Sequence, residues 1–177
     1  MVQTAELLLD GASEQAVLEQ WRRLEEADLP NQGRHTGATN RPHLTLVVAE
    51  EMPASLDPLL AAAAAALPVA ARLGPLVVLG GRRHVLARLV VPSAALLDLH
   101  AGALVVTAAC PGRNELVEAG TWTPHVTLAR GLSADQVSAA LAVLGGQATD
   151  AGQVVGLRRF DGEARRTRLV AGADPQA

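Results

Sequence analysis

Hydrophobic positions recur along the chain with two spacings, every second residue in some segments and every third or fourth in others. The first spacing predicts strands and the second predicts helices. Strands are expected at residues 2–9, 43–49, 76–79, 84–91, 124–129, 153–157 and 165–170. Helices are expected from an N-cap at Ser13 to about Leu29, at residues 56–67, from Pro92-Ser93 to about Ala109, and at residues 133–144.

Glycine, proline and small polar residues separate these segments and mark the turns. Pro30 and the Gly/Asn/Thr-rich residues 31–40 form a loop, and Gly80-Gly81 is typical of a hairpin. Asp161-Gly162 marks a second turn, and Gly145-Gly146 ends the last helix. Because short connections join neighbouring strands, we expect mainly antiparallel pairing with helices on the outer faces, which is an α+β fold.

The chain contains an internal repeat. Pro42-His43-Leu44-Thr45-Leu46 matches Pro124-His125-Val126-Thr127-Leu128, 82 positions later. Each segment is followed by a short loop, an alanine- and leucine-rich helix, and two strands joined by a turn. The arginine pairs Arg82-Arg83 and Arg158-Arg159 fall near corresponding turns. We therefore expect residues 1–177 to form a single domain of two pseudo-symmetric lobes with an active-site cleft between them.

Composition narrows the classes of protein to which the chain can belong. The 49% hydrophobic content is enough for a packed core, and the longest apolar run, residues 59–67, is too short to span a bilayer. The net charge of −3 argues against a broad electrostatic grip on long nucleic acid, so any contact with RNA should be local. All fifteen basic residues are arginine, so each arginine is judged by its position. Without a signal-like N-terminus or a partner for Cys110, we expect a cytoplasmic monomer with no membrane partner.

The repeated segment places the same two polar side chains on one face of each predicted strand. Residues i and i+2 of a strand project to the same side, so His43 points with Thr45, and His125 points with Thr127. Two imidazoles that titrate near neutral pH can act as base and acid on one phosphorus atom. Two hydroxyls can donate to phosphate oxygens where negative charge develops. We therefore predict that the two histidines are catalytic and the two threonines bind phosphate, without a metal or a cofactor.

Structural roles are the ordinary explanation for most histidines and aromatic residues. A single His-x-Thr segment is usually structural, but its recurrence at positions where a core would retain apolar residues favours catalysis. His84 and His100 are expected to be structural or exposed, whereas His35, in the polar loop, is open to a role in a lid. Trp21 lies on an apolar helix stripe and is predicted to be core. Phe160, at a turn, is open to either role.

Three further residues near the motifs are candidates for contact with the substrate. Arg130 could bind the phosphate, but it lies five residues after the second histidine, so strict alternation would send it to the opposite face. It reaches the cleft only if the strand ends or bulges near Ala129. Trp122 could flank the cleft, and Arg41 lies on the His43 side, where it could equally be solvated.

The paired segments His43-Leu44-Thr45-Leu46 and His125-Val126-Thr127-Leu128 resemble the hallmark of the 2H phosphoesterase superfamily. The second extends through Ala129-Arg130 and is similar to the longer form of the bacterial branch named for 2′-5′ RNA ligase and RNA 2′,3′-cyclic phosphodiesterase. The resemblance implies a 2′,3′-cyclic phosphate that water opens to a terminal 2′-phosphate. It also implies that one histidine activates water while the other protonates the departing ribose oxygen. The resemblance also implies that the same pair of histidines could join a cyclic end to a 5′-hydroxyl in a 2′-5′ linkage.

Other functions remain open at this point. Within the enzyme class, the substrate could be a small nucleotide such as ADP-ribose cyclic phosphate instead of an RNA end. A non-catalytic module that binds RNA ends would keep the fold, but its expected sign, the loss of a motif histidine or threonine, is not seen. A metal hydrolase would need further ligands, and neither motif contains Asp or Glu.

Overall fold

The computed structural model describes residues 2–145 and 151–175, and this part of the chain contains seven strands and four α-helices. The strands are β1 (Gln3–Leu9), β2 (His43–Ala49), β3 (Val69–Leu79), β4 (His84–Pro92), β5 (His125–Leu132), β6 (Gln153–Asp161) and β7 (Arg166–Gly172). The helices are α1 (Gly11–Glu26), α2 (Asp57–Ala63), α3 (Ala94–Val106) and α4 (Ala134–Leu144). The predicted α+β class is confirmed.

All strand pairings described are antiparallel, and the strand order is β1-β2-β5-β4-β3-β6-β7 with an additional pairing of β1 with β6. Six strands therefore close a ring, and β7 lies outside it beside β6. Strands β2, β1, β6 and β7 form a first lobe, and β5, β4 and β3 form a second lobe. The lobes join where Leu44 pairs with Val126 and where Val69 and Ala70 pair with Val154 and Gln153.

The pattern of strand pairing has the pseudo-two-fold symmetry that the sequence repeat predicts. The order β1-α1-β2-α2-β3 in the first half corresponds to β4-α3-β5-α4-β6 in the second half. The pairing of β1 with β2 corresponds to that of β4 with β5, and the pairing of β3 with β4 corresponds to that of β6 with β1. The two junctions, β2 with β5 and β3 with β6, lie on the pseudo-two-fold axis. Both histidine motifs therefore meet at one junction.

Helices cover the outer faces of the lobes. α1 and α4 contact each other over β4 and β5, while α2 and α3 form a second pair that contacts β7 and β2. The buried hydrophobic side chains of these elements form a continuous core, in which Leu44, Leu46, Val126 and Leu128 are completely buried. None of the helices described is both long and apolar enough to cross a membrane.

Several predicted boundaries are wrong at the helix ends. The N-cap of α1 is Asp10, whose carboxylate accepts a 2.8 Å hydrogen bond from the backbone N–H of Ser13, so the helix begins earlier and ends at Glu26. Helix α2 ends at Ala63 and not at residue 67. Residues 64–66 form a turn, and Pro68 disfavours helical backbone in the residue before it. The cap of α4 is Gly145, as predicted, and Gly146 lies outside the described residues.

Three strands are longer than the hydrophobic pattern predicts. β3 begins at Val69, because Gly74-Pro75 interrupts the alternation without ending the strand, and the register with β4 shifts there. β5 continues through Gly131 to Leu132. β6 continues to Asp161, so that Arg158 and Arg159 lie inside a strand and not near a turn as predicted.

Candidate active site

The two motif strands meet at a single pair, Leu44 with Val126. Continuing this antiparallel register by one residue sets His43 opposite Thr127 and Thr45 opposite His125. Directly opposed side chains in such a sheet have Cβ atoms about 5 Å apart, and diagonal neighbours roughly 7–8 Å apart. By this register the two imidazoles are diagonal neighbours, and His43 lines a small cavity together with Thr127.

Alternation in both strands sends the polar side chains to one face. His43, Thr45, His125 and Thr127 are half-buried, whereas the apolar residues between them are completely buried. A β-bulge lies directly after the threonine of each motif. In β2 it is at Leu46, opposite Ala5 and Glu6 of β1, and in β5 it is at Leu128, opposite Leu86 and Ala87 of β4. The four polar side chains thus share one surface at the junction of the lobes.

Each histidine is oriented by a backbone carbonyl two residues before it. Nδ1 of His43 lies 2.8 Å from the carbonyl oxygen of Arg41, and Nδ1 of His125 lies 2.7 Å from that of Thr123. A carbonyl oxygen can only accept a hydrogen bond, so Nδ1 carries the proton in both rings. Nε2 is then the atom left to exchange a proton with a substrate.

A buried carboxylate distinguishes the first histidine from the second. Oε1 of Glu6 lies 3.6 Å from Nε2 of His43, and Oε2 accepts a 2.8 Å hydrogen bond from Nε of Arg158. Burial alone would raise the pKa of Glu6, but the charges of His43 and Arg158 and a hydrogen bond from Thr4 outweigh it, so the pKa lies below its ordinary value. Ala87 occupies the equivalent position in β4. Among the residues that the structure describes, an ion pair with a carboxylate is therefore found for His43 and not for His125.

The second histidine lies in a cationic environment. Burial lowers the pKa of His125, and the positive charges of Arg130 and His43 lower it further, although the hydrogen bond to the Thr123 carbonyl partly opposes them. The neutral form of His125 is therefore favoured at neutral pH. Its Nε2 is then able to accept a proton.

Arg130 reaches the cleft because β5 bulges. The bulge at Leu128 leaves two successive residues buried, 128 and 129, and so reverses the alternation for the next residue. The guanidinium of Arg130 donates a 3.2 Å hydrogen bond to Oγ1 of Thr127. The equivalent residue of β2 is Val48, so this pair of equivalent positions carries an arginine in β5 and a valine in β2.

Tryptophan side chains donate hydrogen bonds to the backbone of both motifs. The indole N–H of Trp21 donates to the carbonyl of Thr127 at 3.2 Å, and that of Trp122 donates to the carbonyl of Thr45 at 3.0 Å. Trp21 is a core residue, as predicted. Trp122 is half-buried, and the ring of His100 stacks on it at 3.8 Å. This placement indicates that Trp122 positions the first motif, a role that the sequence analysis did not foresee.

Arg41 is also engaged by the protein. Its guanidinium forms two hydrogen bonds with the buried carboxylate of Glu14, at 2.6 and 3.0 Å, and a third with Asp174 at 2.6 Å. Arg41 and Glu14 are both more than nine-tenths buried. These contacts favour a structural role for Arg41, whose backbone carbonyl orients His43.

Two cavities open at His43. A small one of about 20 Å³ lies between His43, Thr127 and Arg130, and so joins the two motifs. A larger one of about 760 Å³ extends from His43 over the first lobe. Among residues 2–145 and 151–175, no three His, Cys, Asp or Glu side chains are grouped so that they could hold a metal ion.

Glu6 and Arg158 are the site residues that the sequence analysis missed. Their pairing joins residues 152 positions apart, which no local pattern reveals. Glu6 is, however, the one acidic residue within the predicted strands. An isolated carboxylate of this kind requires a buried partner, and that requirement is the signal that could have identified it.

The fold is shared with solved structures of low sequence identity. TT0787 of Thermus thermophilus matches with a TM-score of 0.58 and 18% identity, over 96% of this chain and 95% of that chain. Escherichia coli LigT, solved with 3′-AMP, matches with a TM-score of 0.54 and 15% identity over 94% and 91%. Kluyveromyces marxianus Usb1 matches with a TM-score of 0.53 and 14% identity over 96% and 97%.

Sequence comparison identifies the family directly. No curated protein sequence matches the chain at a significant level. The sequence profile of the 2′-5′ RNA ligase superfamily, in contrast, matches residues 11–158, which include both His-x-Thr motifs and most of the ring of strands. The resemblance drawn from the motifs is therefore confirmed, and the chain belongs to the 2′-5′ RNA ligase superfamily of 2H phosphoesterases.

Proposed function

We propose that the protein is a metal-independent phosphodiesterase that opens 2′,3′-cyclic phosphate ends of RNA to 2′-phosphates. Membership of the superfamily supports phosphodiesterase or ligase-type chemistry. The observation that carries the proposal is the two-fold junction, where both carbonyl-anchored histidines lie one residue from the pair of Leu44 with Val126, and where His43 shares a small cavity with Thr127. Two proteins with the same fold were solved with nucleotides, Usb1 with uridine monophosphate and LigT with 3′-AMP. These complexes support a nucleotide as the substrate.

The asymmetry of the site supports one assignment of roles. His125, which is favoured in its neutral form, takes a proton from water through Nε2 as the water oxygen attacks phosphorus. His43, which forms an ion pair with Glu6 only when protonated, gives its Nε2 proton to the 3′-oxygen as the bond from phosphorus to that oxygen breaks. One proton is taken and one is given, so the protein ends the step with its charge unchanged. Ligation would be the same step with the 5′-hydroxyl of a second RNA end in place of water: His125 takes the hydroxyl proton and the 3′-oxygen leaves with the proton of His43.

Hydroxyl and guanidinium groups stabilise the charge that develops on phosphate. Thr45 and Thr127 can each donate to a non-bridging oxygen, and Arg130, already bonded to Thr127, adds a positive charge at the same place. One hydrogen-bond donor of this kind stabilises the transition state by about 2.7–4 kcal/mol. Proton transfer and charge stabilisation are thus both supplied by side chains.

Product analysis in excess EDTA tests the proposal. The substrates are a cyclic-ended oligoribonucleotide, a 2′,3′-cyclic mononucleotide and ADP-ribose cyclic phosphate, and the position of the product phosphate is read by phosphorus NMR. We expect 2′-phosphates with full activity in EDTA. His43→Ala and His125→Ala should each lower kcat by roughly a hundredfold or more.

His84→Ala is the matched control, since His84 begins β4 away from the junction and its replacement should leave kcat unchanged. Activity that EDTA abolishes and a divalent ion restores would refute metal independence. Full activity in both motif variants, with the fold intact, would favour a module that only binds RNA ends. A rate confined to ADP-ribose cyclic phosphate would establish the small-nucleotide alternative.

A further inference from the structure

The cavity of about 760 Å³ beside His43 has the size of a site for a nucleoside. Cavities that enclose small organic ligands measure roughly 300–1,000 Å³. This one is bounded by the loop of residues 34–40, by β1 and β6 of the first lobe, and by the turn between β6 and β7. Because His43 forms part of its wall, a ligand there can present a phosphate to the junction of the motifs.

Phe160 provides the aromatic surface of this cavity. It is the one phenylalanine of a chain without tyrosine, and it lines the cavity from β6 while remaining half-buried. Neither tryptophan lines this cavity: Trp21 packs in the core, and Trp122 stacks on His100. A base in this cavity would therefore stack on Phe160, as bases of single-stranded RNA do on aromatic side chains.

Arg165 provides an available positive charge at the edge of the cavity. Arg158 is paired with Glu6, and Arg34 is paired with Glu25 and Asp28. Arg165, in the turn after β6, forms no ion pair with any of the described residues. A cation placed here, apart from the reacting phosphate, suits a second phosphate on the same nucleotide.

We propose that this cavity binds the terminal nucleoside of the substrate, with its base on Phe160 and its 5′-phosphate at Arg165. The inference rests on the proposed function for the position of the reacting phosphate. It adds the substrate class: cyclic-ended nucleotides that carry a 5′-phosphate, as every nucleotide at the 3′ end of an RNA does. A cyclic mononucleotide with a free 5′-hydroxyl is then the poorer substrate.

Binding of stable product analogues tests the site without requiring turnover. Dissociation constants are measured by calorimetry for adenosine 2′,5′-bisphosphate and for adenosine 2′-phosphate. Phe160→Leu should weaken binding of both ligands by about tenfold, whereas Phe160→Trp should retain it. Arg165→Asn should weaken the bisphosphate alone, by about threefold at low salt, because an exposed charge contact is modest. Asparagine is chosen because residue 165 has a positive φ of 49°.

Arg166→Asn, at the start of β7 and outside this cavity, is the matched control and should leave both dissociation constants unchanged. The values of kcat/KM are measured on the corresponding cyclic phosphates and on glycerol 1,2-cyclic phosphate, which has no base. Phe160→Leu should lower kcat/KM for the nucleotides and spare the glycerol compound.

The two hypotheses fail in different ways. Turnover of the cyclic phosphates with no effect of Phe160→Leu or Arg165→Asn on any ligand would overturn the nucleoside site and leave the proposed function standing. The predicted pattern of binding without turnover would refute the proposed function and support the site. Failure of both analogues to bind to the wild-type protein would overturn the site.

Discussion

Replacing Glu6 with glutamine should weaken the acid step while preserving the shape of the site. The carboxylate lies 3.6 Å from Nε2 of His43, so its attraction for the protonated ring is about 4–5 kcal/mol at an effective dielectric constant near 20 and about 1 kcal/mol in bulk water. The ring is 33% exposed, and Arg158 on the other side of the carboxylate reduces its field. We therefore expect a value of roughly 1–2 kcal/mol, which corresponds to a five- to thirtyfold loss in kcat.

The loss should depend on pH, because the attraction exists only when His43 carries its proton. The assay is kcat for a 2′,3′-cyclic nucleotide between acid and alkaline pH, with the largest deficit of Glu6→Gln expected on the alkaline side. Thermal unfolding of the same variant shows whether the buried Arg158 tolerates the amide. Glu19→Gln, the same change on an exposed carboxylate of α1, should alter neither quantity. An equal loss at every pH, or a loss confined to acid pH, would refute the assignment of His43 as the acid.

Three further predictions follow from the contacts around the motifs. Arg130→Gln removes one of the charges that lower the pKa of His125, so the fall in kcat/KM at acid pH should move to higher pH; an unchanged profile would contradict the assignment of His125 as the base. Thr127→Val should lower kcat by roughly 100- to 1,000-fold with unfolding in urea little changed, and a rise in KM alone would argue against transition-state binding. Arg41→Ala should lower the free energy of unfolding by about 3–5 kcal/mol, since it removes the guanidinium that pairs with the buried carboxylate of Glu14; a raised KM with unchanged stability would instead place Arg41 at the substrate.

The motif strands can be predicted because the alternation of polar and apolar residues within each repeated segment is a local pattern. Alternation at residues 43–46 and 125–128 determines which side chains face the core, and the structure follows it. The sequence indicates that Arg130 reaches the cleft only if β5 ends or bulges near Ala129, but it does not indicate whether the bulge forms. The bulge depends on how β5 pairs with β4, and that pairing involves residues some 40 positions away in the chain.

Contacts between distant segments account for what the sequence did not reveal. Glu6 and Arg158 meet only because β1 and β6 pair. The hydrogen bond from Trp122 to Thr45 joins segments 77 positions apart, so the sequence alone indicates only that Trp122 could flank the cleft. Phe160 was left open for the same reason. Its strand was predicted to end at residue 157, whereas β6 continues to Asp161 and carries Phe160 to the cavity.

The closed ring of strands also constrains how the molecule can fold. β1 acquires its second neighbour only when β6 has been synthesised, and Glu6 lacks its arginine until then. A nascent chain that ends before residue 153 therefore exposes unpaired edges on both β1 and β3, which are templates for association with other chains. Pairings between such distant segments slow folding. The same closure that holds the two motifs together thus leaves the partly synthesised chain prone to association with other chains until β6 is available to pair with both edges.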